Sequence, residues 1–365
     1  MKAGRSLQEL AFEIERQQKA KQDFIAPTSQ IGLIHSPFSG TSLTLGKDIK
    51  QTFGINNLAH GQVAEFTGIP KTYYDKMREE APTLLAENVN TWLQMLGRDT
   101  KQNKRLVRVL DGNVRGLLSD RYRPLDNYDL AQAVLPVIKD QNLHIVSCEV
   151  TERRLYIKAF NQDLAEEIMR TGHDHIAKKD VCSPVICISN SEVGNGALSI
   201  IAGIFTKGCT NLAFFDDSKM RKYHIGKVTG TTDEIQAVLS DQTKRITDAA
   251  VWAQVRDIVN SAFDPHRFKE LIGRIQETTE QPIEGDVVKV VNLTGEKFGF
   301  TKAENKGVLD HLIKGGDLSR YGLFNAVTRM SADLTDYDRA TEVERVGGRV
   351  IELANNEWEK LAKAA

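Results

Sequence analysis

Apolar and polar residues recur with a helical period at both ends of the chain and form short strand-like runs in the middle. Residues 7 to 22 place Leu7, Leu10, Ala11 and Ile14 at the i, i+3, i+4 and i+7 spacing of an amphipathic helix. Residues from 233 to the end are mostly helical in pattern. Residues 101 to 230 instead carry apolar runs bounded by turn residues, which predicts strands.

The predicted strands of the middle region follow one another closely. KRLVRVLDG and NVRGLLSDRYRPL meet at Asp111 and Gly112, and Asp-Gly between two apolar runs favours a β-hairpin. Asn127 is the predicted N-cap of the helix that follows. Further strands are predicted for LHIVSCEVTE, RRLYIKAF, SPVICISNSE and GALSIIAGIFT. This order predicts an α+β fold with an antiparallel sheet core, packed helices, and helical N-terminal and C-terminal regions.

Four segments follow from these patterns. They are an N-terminal helix with a loop or strand (1–60), a helical hairpin (61–100), an α+β core (101–230) and a mainly helical region (231–365). In the second segment Ala64 and Gly68 have the spacing of a helix-turn-helix, whose second helix would carry Lys71, Tyr73, Tyr74, Lys76 and Arg78. A plain helical hairpin explains the same residues, packed by Phe66, Tyr74, Met77 and Leu84.

Composition excludes few classes of function. The 365 residues are 41% hydrophobic and 27% charged, with a formal net charge of −1, so any nucleic-acid surface must be local. No apolar run approaches the roughly 20 residues that span a bilayer, and the N-terminus lacks a signal-peptide pattern, which predicts a cytoplasmic protein without membrane contact. The four cysteines are expected to be reduced and mostly buried; a zinc site at Cys182 and Cys187 is the alternative.

Two basic stretches contain aromatic residues. Residues 101 to 125 hold seven Lys and Arg residues against two acids, and SKMRKYHIGKV surrounds Tyr223 with cations. Single-strand binding uses cations that follow the phosphates and rings that stack on bases. The candidate DNA-binding residues are Arg115, Arg121, Tyr122, Arg123, Asn190, Arg221, Lys222, Tyr223, His224 and Lys227.

Structural roles explain some of these residues equally well. Arg121 would pair with Asp120 or Asp126, Tyr122 would lie in the core with its hydroxyl hydrogen-bonded, and His224 would be a structural histidine.

The loop SNSEVGNGALS, residues 189 to 199, combines short polar side chains with two glycines. Such a loop forms either a phosphate-binding nest or an ordinary hairpin turn. Neither a Walker A pattern nor a G-x-G-x-x-G pattern occurs, so no nucleotide cofactor is expected.

A carboxylate cluster near the C-terminus is the candidate metal site. Asp333, Asp336, Asp338 and Glu342 could hold Mg²⁺ for phosphodiester cleavage. The same residues fit the start of a helix, where acids favour the helix dipole and Thr335 or Asp336 acts as the cap. No nucleophile elbow, HExxH motif or Cys-His-Asn arrangement appears, so the sequence gives no support for catalysis.

Several separated motifs resemble a family of phage and plasmid proteins catalogued as domain of unknown function 932. In chain order the motifs are TGIPKTYYDKM, RGLLSDRYRPLDN, SNSEVGNGALSIIAGIFTKGCTN, RKYHIGK and YGLFNAVTRMSADLTDYDRATEVERVGG. Together they extend over most of the chain from about residue 55. The resemblance implies a mobile-element context, which favours DNA. The predicted hairpin and helix on an antiparallel sheet are also similar to the core of single-strand annealing proteins of the Redβ and RecT kind.

Three hypotheses result. The first is an ATP-independent protein of a phage or mobile element that binds and anneals single-stranded DNA as an oligomeric ring or filament. The second is a metal-dependent nuclease that uses the carboxylate cluster. The third is a module that binds a host defence protein through the helices between Ala64 and Arg78.

Overall fold

The strands of the described residues form two β-sheets, each covered by helices. The computed structural model describes residues 1–47, 50–99, 104–122, 125–171, 177–216, 223–225 and 241–364. The fold is α+β with helices at both ends and two sheets that are largely antiparallel, which confirms the predicted class.

The first sheet has the strand order β1-β5-β6-β4-β3-β2, with all neighbours antiparallel except β4 and β6. Its strands are β1 (Gln22–Pro27), β2 (Ile31–Ser36), β3 (Gly40–Leu45), β4 (Gln51–Ile55), β5 (Lys104–Leu110) and β6 (Asn113–Ser119). Because β1 pairs with β5 and β4 with β6, this sheet joins residues from two of the predicted segments, 1–60 and 101–230.

Helices α2 (Asn57–Thr67), α3 (Lys71–Glu80) and α4 (Pro82–Leu96) pack on this sheet. Leu33, Leu43 and Val107 of the sheet are buried in one core with Val63 and Leu85 of the helices. Apolar residues at helical spacing on α2 and α4 thus meet alternate residues of the strands, as their patterns predict.

The β5–β6 hairpin is confirmed at its predicted turn. Asp111 and Gly112 have φ angles of 51° and 73°, and two successive positive φ values are typical of the two-residue turn that suits the twist of antiparallel strands. The pairing shifts by one residue between Arg108 and Val109, because Arg115 of β6 has no partner on β5, so β6 contains a bulge at Arg115.

The second sheet has the order β12-β11-β10-β8-β7, with β9 paired to β10 and β13 paired to β11. Its strands are β7 (His144–Val150), β8 (Leu155–Phe160), β9 (Glu166–Thr171), β10 (Ala177–Asn190), β11 (Leu198–Thr206), β12 (Asn211–Phe214) and β13 (Tyr223–Ile225). The long strand β10 pairs with β9 along its first part and with β8 and β11 along the rest.

Helices cover both faces of the second sheet. On one face, α1 (Leu7–Ala20), α5 (Asn127–Asp140) and α6 (Asp241–Ser261) share a core with Ile157 and Ile188. On the other face, Tyr156 and Cys187 pack with Tyr337 of the C-terminal helices. Those helices are α7 (Pro265–Thr278), α8 (Val287–Phe298), α9 (Lys302–Gly315), α10 (Arg320–Met330), α11 (Tyr337–Glu352) and α12 (Asn355–Ala362).

The buried side chain of Arg320, from helix α10, caps the C-terminal end of helix α11. The guanidinium of Arg320, which is 2% exposed, donates to the carbonyl oxygens of Val350 and Ile351 at 2.9 Å each and also to that of Leu353. Burial lowers the pKa of Arg320 to about 10, so the group is still protonated at neutral pH. Arg320 therefore supplies the donors that the last turn of a helix lacks.

We expect Arg320→Met to lower the free energy of unfolding by about 2 to 3 kcal/mol, because it leaves buried carbonyl groups without donors. Urea denaturation followed by circular dichroism measures the loss. Arg274→Met on the neighbouring helix α7 is a comparison at an exposed arginine. A change below about 0.5 kcal/mol at Arg320, the range of ordinary surface substitutions, would contradict the capping role.

Candidate functional site

Tyr122 and strand β13, which come from the two basic and aromatic stretches of the sequence, each lie beside the loop between β10 and β11 at one end of the second sheet. The hydroxyl of Tyr122 donates to the carbonyl oxygen of Ser191 at 3.0 Å, in the loop between β10 and β11. On the other side of β11, His224 of β13 lies opposite Ser199. We call this region the loop end; it comprises residues 119–122, 151–154, 190–197 and 223–225.

Glu192 organises the interior of the loop end. Its carboxylate accepts from Nη1 of Arg115 at 2.7 Å and from the backbone N–H of Asn127 at 2.6 Å. Asn127 is therefore the first residue of α5 rather than its side-chain cap, and the prediction of an Asn127 cap is wrong. A carboxylate from a distant loop satisfies the free N–H group at this helix start and complements its dipole.

Asn190 and Arg115 are interior residues, with exposed fractions of 1% and 8%. The side chain of Asn190 donates to the carbonyl oxygen of Leu125 at 2.7 Å and to Oδ1 of Asn127 at 2.9 Å. Both side chains thus join the loop to other elements in the interior of the protein. This corrects the expectation that they form part of a surface groove.

Arg108 connects the loop end to the first sheet. Its fully buried guanidinium donates to both carboxylate oxygens of Asp23 at 3.0 and 2.9 Å, to Asp126 at 2.9 Å and to the carbonyl oxygen of Glu192 at 2.8 Å. Lys21 also pairs with Asp126. Burial raises the pKa of Asp126, but hydrogen bonds from Lys21 and Arg108 outweigh it, so the pKa lies below its ordinary value.

Three arginines line the outside of the loop end. Arg121 and Arg153 are exposed, and Arg154 is half-buried and donates through Nε to the carbonyl oxygen of Asn195 at 2.6 Å. The hydroxyl of Ser191 donates to the carbonyl oxygen of Arg153 at 2.8 Å. Sequence reasoning missed Arg153 and Arg154, although two adjacent arginines in the turn between two predicted strands were a usable signal.

The other predicted DNA-binding residues divide into two groups. Tyr122 is half-buried, and burial raises the pKa of its hydroxyl, which stays protonated as a donor at neutral pH. Tyr223 and His224 are placed through the backbone pairing of β13 with β11. Arg123, Arg221, Lys222 and Lys227 lie outside the described residues.

The four carboxylates of the candidate metal site have separate partners. Asp333 contacts Nε2 of His311 at 2.6 Å, and Asp336 caps α11 by accepting from the N–H of Arg339. Asp338 accepts from the hydroxyl of Tyr156 at 2.8 Å, and Glu342 pairs with Arg339 at 2.7 Å. Within the described ranges, no group of three or more His, Cys, Asp or Glu residues is arranged to hold a metal ion.

The helical hairpin of α2 and α3 turns at Gly68, whose φ is 69°. Its interior is held by a hydrogen bond of 2.8 Å between Nδ1 of His60 and the Tyr74 hydroxyl, and burial lowers the pKa of His60 to about 4. On α3, Lys71 pairs with Asp75. Binding of a host protein here stays a prediction.

All four cysteines are free thiols, as predicted. Cys148, Cys182 and Cys187 are buried, and Cys209 is half-buried. Burial raises the pKa of Cys148 to about 11 and that of Cys182 to about 12, so these thiols are protonated and unreactive at neutral pH.

Comparisons with family models, with curated proteins and with solved structures found no match for this chain. The resemblance to domain of unknown function 932 therefore stays a prediction from the motifs. Each helix in the described part of the chain is too short or too polar to cross a membrane.

Proposed function

We propose that the protein binds single-stranded DNA at the loop end and anneals complementary strands without ATP, as an oligomer. The observation that supports this most is that Tyr122 and β13, which belong to two basic and aromatic stretches far apart in sequence, both lie beside one loop. Annealing requires an extended strand held by its phosphates with base edges left free, and it requires no catalytic group.

The charges at the loop end divide into internal and external groups. Arg108 and Arg115 are buried and pair with the carboxylates of Asp23, Asp126 and Glu192, so they stabilise the fold of the loop end. Arg121, Arg153 and Arg154 lie at the outside, where Asp120 and Glu152 are also exposed. The positive surface is therefore small, and we expect an affinity typical of non-specific binding, about 10⁻⁴ to 10⁻⁶ M at physiological salt.

The oligomer part of the proposal rests on an exposed apolar stripe of α4. Leu84, Trp92 and Met95 are 49%, 42% and 53% exposed on this helix. Exposed apolar side chains that share one helix face are typical of protein contacts. We expect the particle mass, measured by light scattering, to rise above that of one chain when single-stranded DNA is added.

The paired substitution of Arg121→Gln and Arg153→Gln tests the DNA proposal. Fluorescence anisotropy with a labelled single-stranded oligonucleotide, at several salt concentrations, gives the affinity and its salt dependence. If both arginines contact phosphates, the slope of log K against log salt should become shallower by roughly 0.7 for each, or about 1.4 in total.

Lys302→Gln with Lys306→Gln is the matched control, because it removes the same charge from exposed positions on α9. Equal slopes for the wild type and the folded arginine variant would show that the loop end does not contact DNA. An equal change in both variants would show a general charge effect instead of a site.

A further inference from the structure

A cleft of about 510 Å³ opens at the opposite end of β11 from the loop end. Its walls are the turn between β11 and β12, Arg170 of β9, the last turn of α9 and one side of α10. The nine residues of β11 separate this cleft from the loop end by roughly 30 Å. A volume in this range suits a ligand of nucleotide size.

The charged groups of the cleft are not equally available. Arg170 pairs with Asp180 at 2.7 Å, and His311 contacts Asp333 at 2.6 Å. Lys314 and Arg329 also line the cleft, and among the described residues neither has a carboxylate within ion-pair distance. Arg329 donates through Nη1 to the carbonyl oxygen of Cys209 at 2.6 Å, which directs its guanidinium along the wall.

Asn211 provides an unused acceptor in the same wall. This residue is only 3% exposed, and its Oδ1 atom has no hydrogen-bond partner, although its amide nitrogen lies 3.3 Å from Oδ1 of Asn325. A buried polar atom without a partner is costly, so an acceptor at a cleft wall favours a ligand with an N–H or O–H group.

Asp317 is the carboxylate that lines the cleft. Burial raises its pKa, and the hydroxyl of Ser319 donates to it at 2.6 Å. The two cations without carboxylate partners, Lys314 and Arg329, outnumber this one carboxylate and favour an anionic ligand. A phosphate monoester, which carries up to two negative charges and several acceptor oxygens, suits one ammonium and one guanidinium group.

We propose that this cleft binds a small phosphorylated molecule of nucleotide size, with its phosphate at Lys314 and Arg329 and an N–H or O–H group donating to Asn211. The inference does not depend on DNA binding, because it concerns the other end of the sheet.

Cys209 gives a direct readout of the occupied cleft. It is the cysteine of the cleft wall, whereas the other three cysteines are buried. Alkylation with neutral iodoacetamide, followed by mass spectrometry of the Cys209 peptide, therefore measures access to the cleft. Adenosine 5′-monophosphate, adenosine and inorganic phosphate are the probes.

We expect the monophosphate to slow alkylation of Cys209 in a saturable way at millimolar concentration or below. Inorganic phosphate should protect more weakly, and adenosine should not protect. Lys314→Gln should weaken protection by the monophosphate about fivefold to tenfold, the loss of one charge-assisted hydrogen bond. Lys306→Gln, an exposed lysine of the same helix outside the cleft, should leave protection unchanged.

No protection by either phosphate-containing probe would overturn the proposal, because phosphate is the shared part of the ligand class. An equal loss of Cys209 protection in the Lys314→Gln and Lys306→Gln variants would overturn the proposal as well. Protection by phosphate as strong as that by the monophosphate would overturn the role of Asn211. The anisotropy assay measures DNA binding separately, so the failure of one proposal does not affect the test of the other.

Discussion

Replacing Lys158 with methionine should lower the free energy of unfolding by about 3 to 5 kcal/mol, the usual cost of breaking a buried ion pair from one side. Lys158 lies in β8 and Glu344 in α11, both side chains are 0% exposed, and Nζ lies 2.7 Å from Oε2. Nζ also donates to Thr341 at 2.9 Å and lies 4.6 Å from the ring centre of Tyr337. The substitution leaves the Glu344 carboxylate buried without its cation.

The ionisation of the pair supports this expectation. Burial lowers the pKa of Lys158, but Glu344, Tyr337 and Cys187 together raise it by more, so the pKa lies above its ordinary value. Lys158 is therefore charged at neutral pH.

Urea denaturation of three variants separates the contributions. Lys158→Met with Glu344→Leu should regain most of the lost stability, since an apolar pair can replace a buried ion pair. Lys179→Met removes an exposed lysine, 59% accessible, from its pair with Glu167, and should cost less than about 1 kcal/mol. A Lys158 variant no less stable than the Lys179 variant would show that the pair does not stabilise the fold.

Local patterns predicted most of the secondary structure because the relevant physics is local. The helical spacing of α1, the Asp-Gly turn at residues 111 and 112 and the apolar runs of β7, β8 and β11 depend on near neighbours in the sequence. The pairing of β4 with β6 and of β9 with the start of β10 depends on distant segments. The sequence patterns could not predict these pairings, because no short segment of the sequence contains both partner strands.

Buried charges were the main error in the candidate site. Arg115 was expected at a surface, but its partner Glu192 lies 77 positions away in the sequence, so the pair becomes visible only in the fold. Lys158 gave a better signal, since it stands alone in the apolar run of β8, two positions from buried Tyr156. A lone cation at a core-facing strand position indicates a buried partner.

Arg108→Met should lower the free energy of unfolding by about 2 to 4 kcal/mol, because Asp23 and the buried carbonyl group of Glu192 lose their donor, while Asp126 keeps its pair with Lys21. The guanidinium of Arg108 joins Asp23 of β1, Asp126 at the start of α5 and Glu192 of the loop end. Arg108→Lys should recover only part of the loss, since one ammonium cannot reproduce the two parallel hydrogen bonds to Asp23. Arg16→Met, at a pair exposed to solvent, should change stability by less than about 1 kcal/mol.

The pH dependence of this network has a definite sign. The pKa of Asp126 is lowered in the folded protein, so its contribution to stability is fully present above the ordinary value of 3.8 and is lost as the pH falls through the folded value. Removing Arg108 should raise the pKa of Asp126. Acid unfolding of the Arg108→Met variant should therefore begin at a higher pH than that of Arg16→Met, measured by circular dichroism. Coincident acid transitions would contradict the role of Arg108 in holding Asp126 ionised.

The Arg108→Lys variant distinguishes a structural role of Arg108 from a DNA-binding role at the loop end. Arg108 is fully buried, so it should affect DNA only through the position of the loop that contains Glu192. Below its unfolding transition, Arg108→Lys should bind single-stranded DNA more weakly but with an unchanged salt slope, because no phosphate contact is removed. A shallower slope would mean that Arg108 itself reaches the phosphates, and the loop end would then have to open when DNA binds.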